Sequence, residues 1–158
     1  MNRLTAIDVM TRNVLTAQAD WPITRLAEFL IENDISGAPV TSEEGRLIGV
    51  VSLTDIVRHD SLPEKEPPAH TTPDYYRPSL ERHYAPEEMV SFRIDGEAGV
   101  KVRDIMTSMI FKVGEDTPVQ QVADTMIRGR IHRVFVTRGG LVVGIITALG
   151  LLDVIRAL

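Results

Sequence analysis

The sequence carries one polar cluster whose residue types suit the binding of hydroxyl and phosphate groups. Ser52, Thr54 and Asp55 follow an apolar run and stand where a helix is predicted to begin. A carboxylate can accept hydrogen bonds from both hydroxyls of a vicinal diol, and hydroxyl and backbone N–H groups at a helix N-terminus can bind phosphate. The spacing of Ser52 and Asp55 is also that of an ordinary capping box, which needs no ligand. On spacing alone, the capping box is the favoured interpretation.

A second polar cluster, His132 and Arg133, lies where a predicted helix ends and a strand begins. An arginine guanidinium forms paired, charge-assisted hydrogen bonds to phosphate oxygens. Cations at the C-terminal end of a helix also complement its dipole, so the pair has an ordinary structural explanation as well. The two roles are compatible, and we expect a phosphate contact here.

Composition argues against several other kinds of chemistry. The chain has 158 residues, no cysteine, a net charge of −5 and a pI near 5.3, which argues against thiol catalysis, disulfides and a nucleic-acid surface. The four histidines lack the spacing of metal ligands, and the sequence has no nucleophile elbow and no phosphate-binding loop. It also lacks an apolar stretch of membrane-spanning length and the apolar run of a signal peptide. We therefore expect a cytoplasmic protein that is not an enzyme, requires no metal and binds neither nucleic acid nor membrane.

An internal repeat must position the two clusters. Matching residues recur at a spacing of 96 or 95: Met10 and Met106, Pro22 and Pro118, Ile35 and Ile131, Gly49 and Gly144. Such self-similarity indicates two copies of one structural unit. The predicted organisation is repeat one over residues 1–58, a proline-rich insert over 59–100 and repeat two over 101–158.

Each repeat is predicted to form a β-α-β-β-α unit. The first strands are expected at 14–16 and 110–113, the hairpin turns at the glycines near 45 and 139, and the last helices near Leu53 and Ala148. Pro22 and Pro118 suit the first position of the central helices, with Asp20 and Thr117 as caps. Those helices carry apolar stripes: Ile23, Leu26, Ala27, Leu30 and Ile31 in one, and Val119, Val122, Ala123, Met126 and Ile127 in the other. Because one unit of this size cannot bury its apolar face alone, we predict an α/β fold of the α+β type, with two pseudo-symmetric repeats packed as one module.

The insert differs from the repeats in composition. Residues 63–73 are rich in proline and charge and indicate an exposed linker. A short helical segment is expected to rest on the core through Tyr75, Tyr76, Leu80, Tyr84 and Met89. Residues 91–94 are expected to form a brief strand.

The order of the motifs resembles a known family. Each repeat begins with Asp-x-Met-Thr, at 8–11 and 104–107, and later has Gly followed by two apolar residues and Ser or Thr, at 49–52 and 144–147. This resembles the tandem pair of cystathionine-β-synthase (CBS) domains, or Bateman module, over about two thirds of the chain. The resemblance implies a regulatory module that binds an adenine nucleotide (AMP, ADP, ATP or S-adenosylmethionine) in a cleft between the repeats. It also implies a homodimer that forms a flat disc of four repeats.

The resemblance assigns a role to each candidate ligand-binding residue. Asp55 would hold the ribose, with Ser52 and Thr54 beside it. His132 and Arg133 would face the phosphate from repeat two. The adenine slot would be lined by Val50, Met109, Phe111 and Ile131, and core packing is an equal alternative for Val50 and Ile131.

The pseudo-symmetric twin of this cleft lacks its polar groups. Leu149 and Gly150 stand where repeat one has Thr54 and Asp55, and residues 36–37 are Ser-Gly where repeat two has His-Arg. Both losses fall on the same notional cleft, so the sequence predicts one nucleotide site per chain.

Three functions compete at this point. The first is a stand-alone energy-sensing module that binds the nucleotide and signals in trans to an effector protein, which the sequence does not identify. The second is a ligand-free module for dimerisation or protein interaction. The third is an enzyme with an unrecognised site, for which the sequence offers no acid–base pair.

Overall fold

Each repeat folds into a three-stranded sheet with helices in the computed structural model, which describes residues 3–61, 72–77 and 99–158. The first repeat contains α1 (Ala6–Val9), β1 (Ala17–Gln18), α2 (Ile23–Glu32), β2 (Gly37–Thr41), β3 (Leu47–Ser52) and α3 (Leu53–Ser61). A 3-10 helix (Asp74–Tyr76) follows in the insert. The second repeat contains α4 (Val102–Ile105), β4 (Lys112–Gly114), α5 (Val119–Gly129), β5 (Arg133–Arg138), β6 (Leu141–Thr147) and α6 (Ala148–Arg156).

The two sheets have the same topology. Their strand orders are β1-β2-β3 and β4-β5-β6, with the first pair of strands parallel and the second pair an antiparallel hairpin. The register shifts at equivalent places, between Val40 and Thr41 and between Val136 and Thr137. The predicted mixed fold with two β-α-β-β-α repeats is therefore confirmed.

The starts of the central helices differ from the prediction. Pro22 and Pro118 precede α2 and α5 as extended residues with ψ of 152° and 144°, so neither occupies the first helical position. Neither helix has a side-chain cap, and Asp20 instead pairs with Arg103 and Lys101. The first strands also lie later than expected, at 17–18 and 112–114, because pairing with β2 and β5 fixes their position.

The apolar stripes are buried or partly buried except at their C-terminal ends. Ile31 is 38% exposed and its counterpart Ile127 is 75% exposed, although both were predicted to face the core. Eight residues advance a helix by two turns and roughly 80°. The last member of each stripe therefore lies at the edge of the buried face.

The first helix of each repeat packs on the other repeat. The Ala6 N–H donates to the Thr117 carbonyl at 2.8 Å, which holds α1 against repeat two. Reciprocally, the Val102 N–H donates to the Trp21 carbonyl at 2.9 Å, which holds α4 against repeat one. The two Asp-x-Met-Thr motifs thus cross between repeats, an exchange that the sequence did not predict.

Two glycines accept these crossing segments. A Cβ on Gly49 would lie 2.7 Å from the Thr107 carbonyl oxygen and 2.9 Å from the Met106 sulfur. A Cβ on Gly144 would lie 2.7 Å from Cγ of Met10. Since real Cβ atoms essentially never come closer than 3.0 Å to such neighbours, both strands need glycine where a methionine crosses them.

Helix α6 presents an apolar surface to solvent. Its exposed apolar residues, with their exposed fractions, are Leu149 (72%), Leu152 (59%) and Ile155 (62%), and Leu158 (91%) follows the helix. Exposed apolar patches of this kind mark interaction surfaces. Within the described ranges, neither α6 nor any other helix is long and apolar enough to cross a bilayer.

Candidate functional site

Asp55 lies in the first turn of α3 and caps that helix. Its Oδ2 accepts a hydrogen bond from the Ser52 backbone N–H at 2.8 Å and another from the Ser52 hydroxyl at 3.2 Å. Its Oδ1 lies 3.6 Å from Nη1 of Arg58, and 13% of the Asp55 side chain is exposed. The contact predicted for a capping box is therefore formed. It uses one carboxylate oxygen and leaves the other beside a half-solvated arginine.

Burial raises the pKa of the Asp55 carboxyl above its usual value. The hydrogen bonds from Ser52 and the charge of Arg58 act in the opposite direction, and the nearby carboxylate of Asp74 adds to the rise. The local partners thus fail to compensate fully for the loss of solvent around this anion. A partly buried, under-compensated carboxylate is typical of a site that receives further hydrogen-bond donors from a ligand.

His132 and Arg133 lie at the start of β5, next to the 3-10 helix. The His132 N–H donates to the Tyr76 carbonyl at 2.9 Å, and the His132 carbonyl accepts from Ala148 at 2.9 Å. The Arg133 guanidinium stands 4.8 Å from the centroid of the Tyr75 ring, a cation–π contact. In the described residues, no carboxylate forms an ion pair with Arg133.

Tyr75 connects the two polar clusters. Its ring stacks on Phe135 of β5, with centroids 5.6 Å apart and planes inclined by 13°. A Cβ on Gly37 would lie 2.9 Å from Cδ2 of Tyr75, and Gly37 pairs with Ser52 in the β2–β3 hairpin. Tyr75 therefore lies between the hairpin that presents Asp55 and the strand that presents Arg133.

Tyr76 makes polar contacts with the predicted adenine slot. Its hydroxyl donates to the Met109 carbonyl at 2.8 Å and accepts from the Phe111 N–H at 3.2 Å. Its ring meets the Phe111 ring edge to face, with centroids 4.8 Å apart. The side chain is fully buried, and burial raises the pKa of Tyr76, which keeps its hydroxyl protonated.

The four candidate slot residues share one hydrophobic cluster or border it. Val50 and Ile131 are buried members of the cluster that contains Tyr75 and Tyr76, and Phe111 packs against it. Met109 is partly buried and contacts Tyr76 through its carbonyl. In this structure Val50 and Ile131 therefore pack as core residues, which is the alternative that the sequence left open.

The remaining predictions near the site have mixed outcomes. Thr54 is partly buried in the first turn of α3, as expected beside Asp55. The insert does rest on the core through Tyr75 and Tyr76, but as a single 3-10 turn. The expected linker up to residue 71, the helical continuation through Leu80, Tyr84 and Met89, and the strand at 91–94 lie outside the described residues.

Sequence reasoning missed the contribution of the two tyrosines to the site. A signal was available, because all three tyrosines of the chain lie in the insert and two of them are adjacent. Aromatic pairs of this kind are unusual in a proline-rich, charged segment that only links two domains.

The twin cleft is built differently. Thr147 precedes α6 and accepts a hydrogen bond from the Gly150 N–H at 3.0 Å. A threonine hydroxyl therefore caps α6, whereas the Asp55 carboxylate caps the equivalent helix α3 in repeat one. Gly150 brings no side chain to this position, and Leu149 is exposed. Among the described side chains, no group of three His, Asp or Glu residues is arranged to hold a metal ion.

Comparison with known proteins shows which chains resemble this one in sequence. The sequence profile of the CBS domain matches residues 6–61 and 102–157. The chloroplastic CBS domain-containing protein CBSX1 of Arabidopsis thaliana is 30% identical over 121 residues, which are 76% of this chain and 50% of that protein. L-aspartate semialdehyde sulfurtransferase of Methanocaldococcus jannaschii is 40% identical over 57 residues, 36% of this chain and 11% of the enzyme. The chain thus spans half or less of the length of these relatives.

Solved structures with the same fold cover nearly the whole chain. A CBS domain-containing protein of unknown function from Kribbella flavida has a TM-score of 0.69 and 25% identity, covering 97% of this chain and 99% of that one. The CBS domain pair of protein MJ0100, in complex with 5′-methylthioadenosine and S-adenosyl-L-methionine, has a TM-score of 0.64 and 22% identity, covering 99% and 98%. CBSX2 in complex with AMP has a TM-score of 0.66 and 21% identity, covering 97% and 96%.

Proposed function

Since the chain belongs to the CBS-domain family, with both repeats matched, we propose that it is a regulatory module that binds an adenine nucleotide and catalyses no reaction. The observation that carries this proposal is that a carboxylate and a guanidinium, those of Asp55 and Arg133, lie on either side of one 3-10 helix. Burial raises the pKa of Asp55 on one side, and Arg133 has no described carboxylate partner on the other. An anion that accepts from a diol and a cation that binds phosphate are the two groups that a nucleotide requires.

The ligand class is supported by the solved relatives. The CBS pair of MJ0100 and CBSX2 hold 5′-methylthioadenosine, S-adenosyl-L-methionine and AMP, all of which contain adenosine. At 22% and 21% identity they establish the fold of this chain, and the adenosine unit is the part of their ligands that we extend to it.

Each part of the nucleotide has a proposed partner. Oδ1 of Asp55 would accept from the ribose hydroxyls, while Oδ2 keeps its bonds to Ser52, and Thr54 would stand beside them. His132 and Arg133 would contact the phosphate. The base would lie in the slot formed by Val50, Met109, Phe111 and Ile131.

We propose one such site per chain. The twin cleft has a glycine at position 150 in place of the ribose-binding carboxylate and a glycine at position 37 in place of the arginine. Without a cation and without a diol acceptor, that cleft would retain only apolar contacts, which do not distinguish a nucleotide from other flat ligands.

The exposed face of α6 supports a homodimer. Leu149, Leu152 and Ile155 follow one another at three-residue intervals, and a second copy could cover them by the same surface about a twofold axis. In this proposal the nucleotide-bound dimer signals in trans to a cytoplasmic effector protein, as an energy sensor does. The same exposed face, together with the buried tyrosines in the slot, favours the second candidate function, a ligand-free interaction module.

Titration calorimetry separates these two functions. Wild-type protein titrated with adenosine, AMP, ADP, ATP and S-adenosylmethionine should bind at least one of them with one molecule per chain. Arg133→Ala should weaken AMP binding by about 10- to 150-fold relative to its effect on adenosine binding, since a hydrogen bond to a charged group contributes roughly 1.5–3 kcal/mol.

The matched control for that variant is Arg128→Ala. Arg128 pairs with Asp124 on an exposed face of α5, so its removal changes the net charge equally without altering the cleft. Two equivalent sites per chain would contradict the asymmetry. The absence of binding with all five ligands at millimolar concentration would contradict the nucleotide proposal and favour the interaction module.

A further inference from the structure

The Tyr76 hydroxyl satisfies a specific pair of backbone groups in the predicted adenine slot. It donates to the Met109 carbonyl and accepts from the Phe111 N–H, two residues further along the same segment. The Met109 carbonyl and the Phe111 N–H both point at the Tyr76 hydroxyl oxygen, so they present one acceptor and one donor side by side. A tyrosine hydroxyl can serve both, because it donates and accepts hydrogen bonds.

The edge of an adenine base offers the same combination. Its exocyclic amino group donates, and the adjacent ring nitrogens accept. An adenine placed among the slot residues would therefore bond to the Met109 carbonyl and the Phe111 N–H in the way that Tyr76 does. The Phe111 side chain already packs on a planar ring here, since the Tyr76 and Phe111 ring centroids lie 4.8 Å apart.

We propose that the 3-10 helix (Asp74–Tyr76) is an intramolecular occupant of the nucleotide cleft and that a nucleotide binds by displacing Tyr76. This proposal rests on the proposed function. Tyr76 takes the place of the base, fully buried in the cluster that contains Val50 and Ile131. The insert is then part of the regulation of the site.

The neighbouring residue occupies the phosphate-binding side of the same cleft. The Tyr75 ring covers the Arg133 guanidinium at 4.8 Å and packs on Phe135. The His132 N–H is held by the Tyr76 carbonyl. Displacement of the 3-10 helix would therefore release the base contacts and the phosphate contacts together. It would also move residues 72–77, which an effector protein could detect.

Occupancy by the 3-10 helix lowers the apparent affinity. If only a fraction of the molecules has an open cleft, the apparent dissociation constant rises by the inverse of that fraction. Weakening the internal occupant should tighten nucleotide binding, whereas weakening a wall of the site should loosen it. The sign of the effect distinguishes the two roles.

Hydrogen exchange of the wild-type protein tests this without a substitution. The Tyr76 and Arg77 N–H groups are bonded to the Pro73 and Asp74 carbonyls within the turn. Saturating adenosine should speed exchange in a peptide that covers residues 73–77 if Tyr76 is displaced. Slower exchange in that peptide would overturn the proposal, because the helix would then close over the ligand.

Two substitutions at Tyr76 provide the second test. Tyr76→Phe keeps the ring but leaves the Met109 carbonyl and the Phe111 N–H unpaired when the 3-10 helix occupies the cleft. Because only this occupied form is destabilised, adenosine should bind several-fold more tightly. Tyr76→Ala removes the occupant and should tighten binding by about tenfold or more; if it fails to fold by circular dichroism, Tyr76→Phe decides the question alone. Unchanged or weaker binding in a folded variant overturns the displacement proposal.

Adding Asp55→Ala to the Tyr76→Phe background separates the two proposals. We expect the double variant to lose adenosine binding. That result would show that the adenosine bound more tightly by Tyr76→Phe still depends on Asp55 and lies in the proposed cleft. If the double variant binds as tightly as Tyr76→Phe, the ligand lies elsewhere and both proposals fail. If wild type, Tyr76→Phe and Tyr76→Ala all fail to bind any adenosine compound, the proposed function fails. If wild type binds and the variants bind less, only the displacement proposal fails.

Discussion

Replacing Asp55 by asparagine separates its capping role from its proposed ligand role. The asparagine carbonyl can still accept from the Ser52 N–H, which now bonds to Asp55 at 2.8 Å. The negative charge is lost, and the amide nitrogen faces Arg58 in place of Oδ1. A purely structural cap should tolerate this change, whereas a diol acceptor should not.

The expected effect on stability is small for asparagine and larger for alanine. Burial opposes the charge on Asp55, so its removal offsets the loss of the Arg58 pair. That pair contributes about 0–1 kcal/mol because the Arg58 side chain is 36% exposed. Asp55→Asn should therefore melt near the wild-type temperature. Asp55→Ala loses the cap, about 1 kcal/mol, and should melt roughly 2–4 °C lower.

The expected effect on affinity is large for both variants. The only acceptor of asparagine remains engaged by Ser52, and its amide nitrogen offers the ribose a donor where two hydroxyl donors need an acceptor. Both variants should bind adenosine about 10- to 150-fold more weakly, from the strength of one hydrogen bond to a charged group. Calorimetry with adenosine, which has no phosphate, measures this loss independently of Arg133.

Asp8 provides a matched control. Its Oδ2 accepts from the Thr5 N–H at 2.8 Å and from the Thr5 hydroxyl at 3.0 Å, the same arrangement as at Asp55. Asp8→Ala should cost a similar capping energy and leave adenosine binding unchanged. The reasoning is refuted if folded Asp55→Asn binds adenosine as tightly as wild type, or if its melting temperature falls as far as that of Asp55→Ala.

Three further predictions follow from the fold. Gly49→Ala should lower the melting temperature by about 2–12 °C, since overpacking costs roughly 1–3 kcal/mol, whereas Gly114→Ala, whose Cβ would have its nearest neighbour at 3.8 Å, should have little effect. Light scattering should show a wild-type dimer; Leu152→Glu should give a monomer near 17.6 kDa, and Leu15→Glu, on an exposed leucine elsewhere, should leave the dimer intact. The pKa of Asp55 in the folded protein lies above its ordinary value of 3.8, so the folded state holds this proton more tightly than the unfolded state. As pH rises from 3.8 through the raised pKa, the wild-type protein should therefore lose stability relative to Asp55→Asn, and at higher pH the difference should stay constant. A thermal-unfolding series without this fall would contradict the burial of the charge.

The sequence predicted the local structure of each repeat well. The last helices begin at Leu53 and Ala148 as expected, because a residue with a side-chain cap and a change of apolar period coincide there. The hairpin turns lie at the predicted glycines, between β2 and β3 and between β5 and β6, since a glycine turn between two apolar runs is a strong local signal. Information of this kind is contained within a few neighbouring residues.

Features that depend on distant contacts were not predictable in the same way. Helices α1 and α4 have four residues each, too few to show a helical period, and their packing on the opposite repeat rests on bonds such as Ala6 to Thr117. The packing of Tyr75 and Tyr76 depends on Phe111, Phe135 and Gly37, which come from both repeats. The candidate site was therefore predicted as two polar clusters and an apolar slot, without the aromatic pair that lies among them.

Gly37 links the asymmetry of the two clefts to the position of the tyrosines. It stands where repeat two has Arg133, and a Cβ there would lie 2.8 Å from the Val51 carbonyl oxygen and 2.9 Å from the Tyr75 ring. No side chain fits at this position while Tyr75 is in place. At Gly150, by contrast, a Cβ would have its nearest neighbour at 3.2 Å, a contact that a small shift relieves. The absence of a cation from the twin cleft thus has a steric reason in the packing of Tyr75. The residue that leaves the twin cleft without an arginine is the residue that makes room for Tyr75 in the proposed nucleotide cleft.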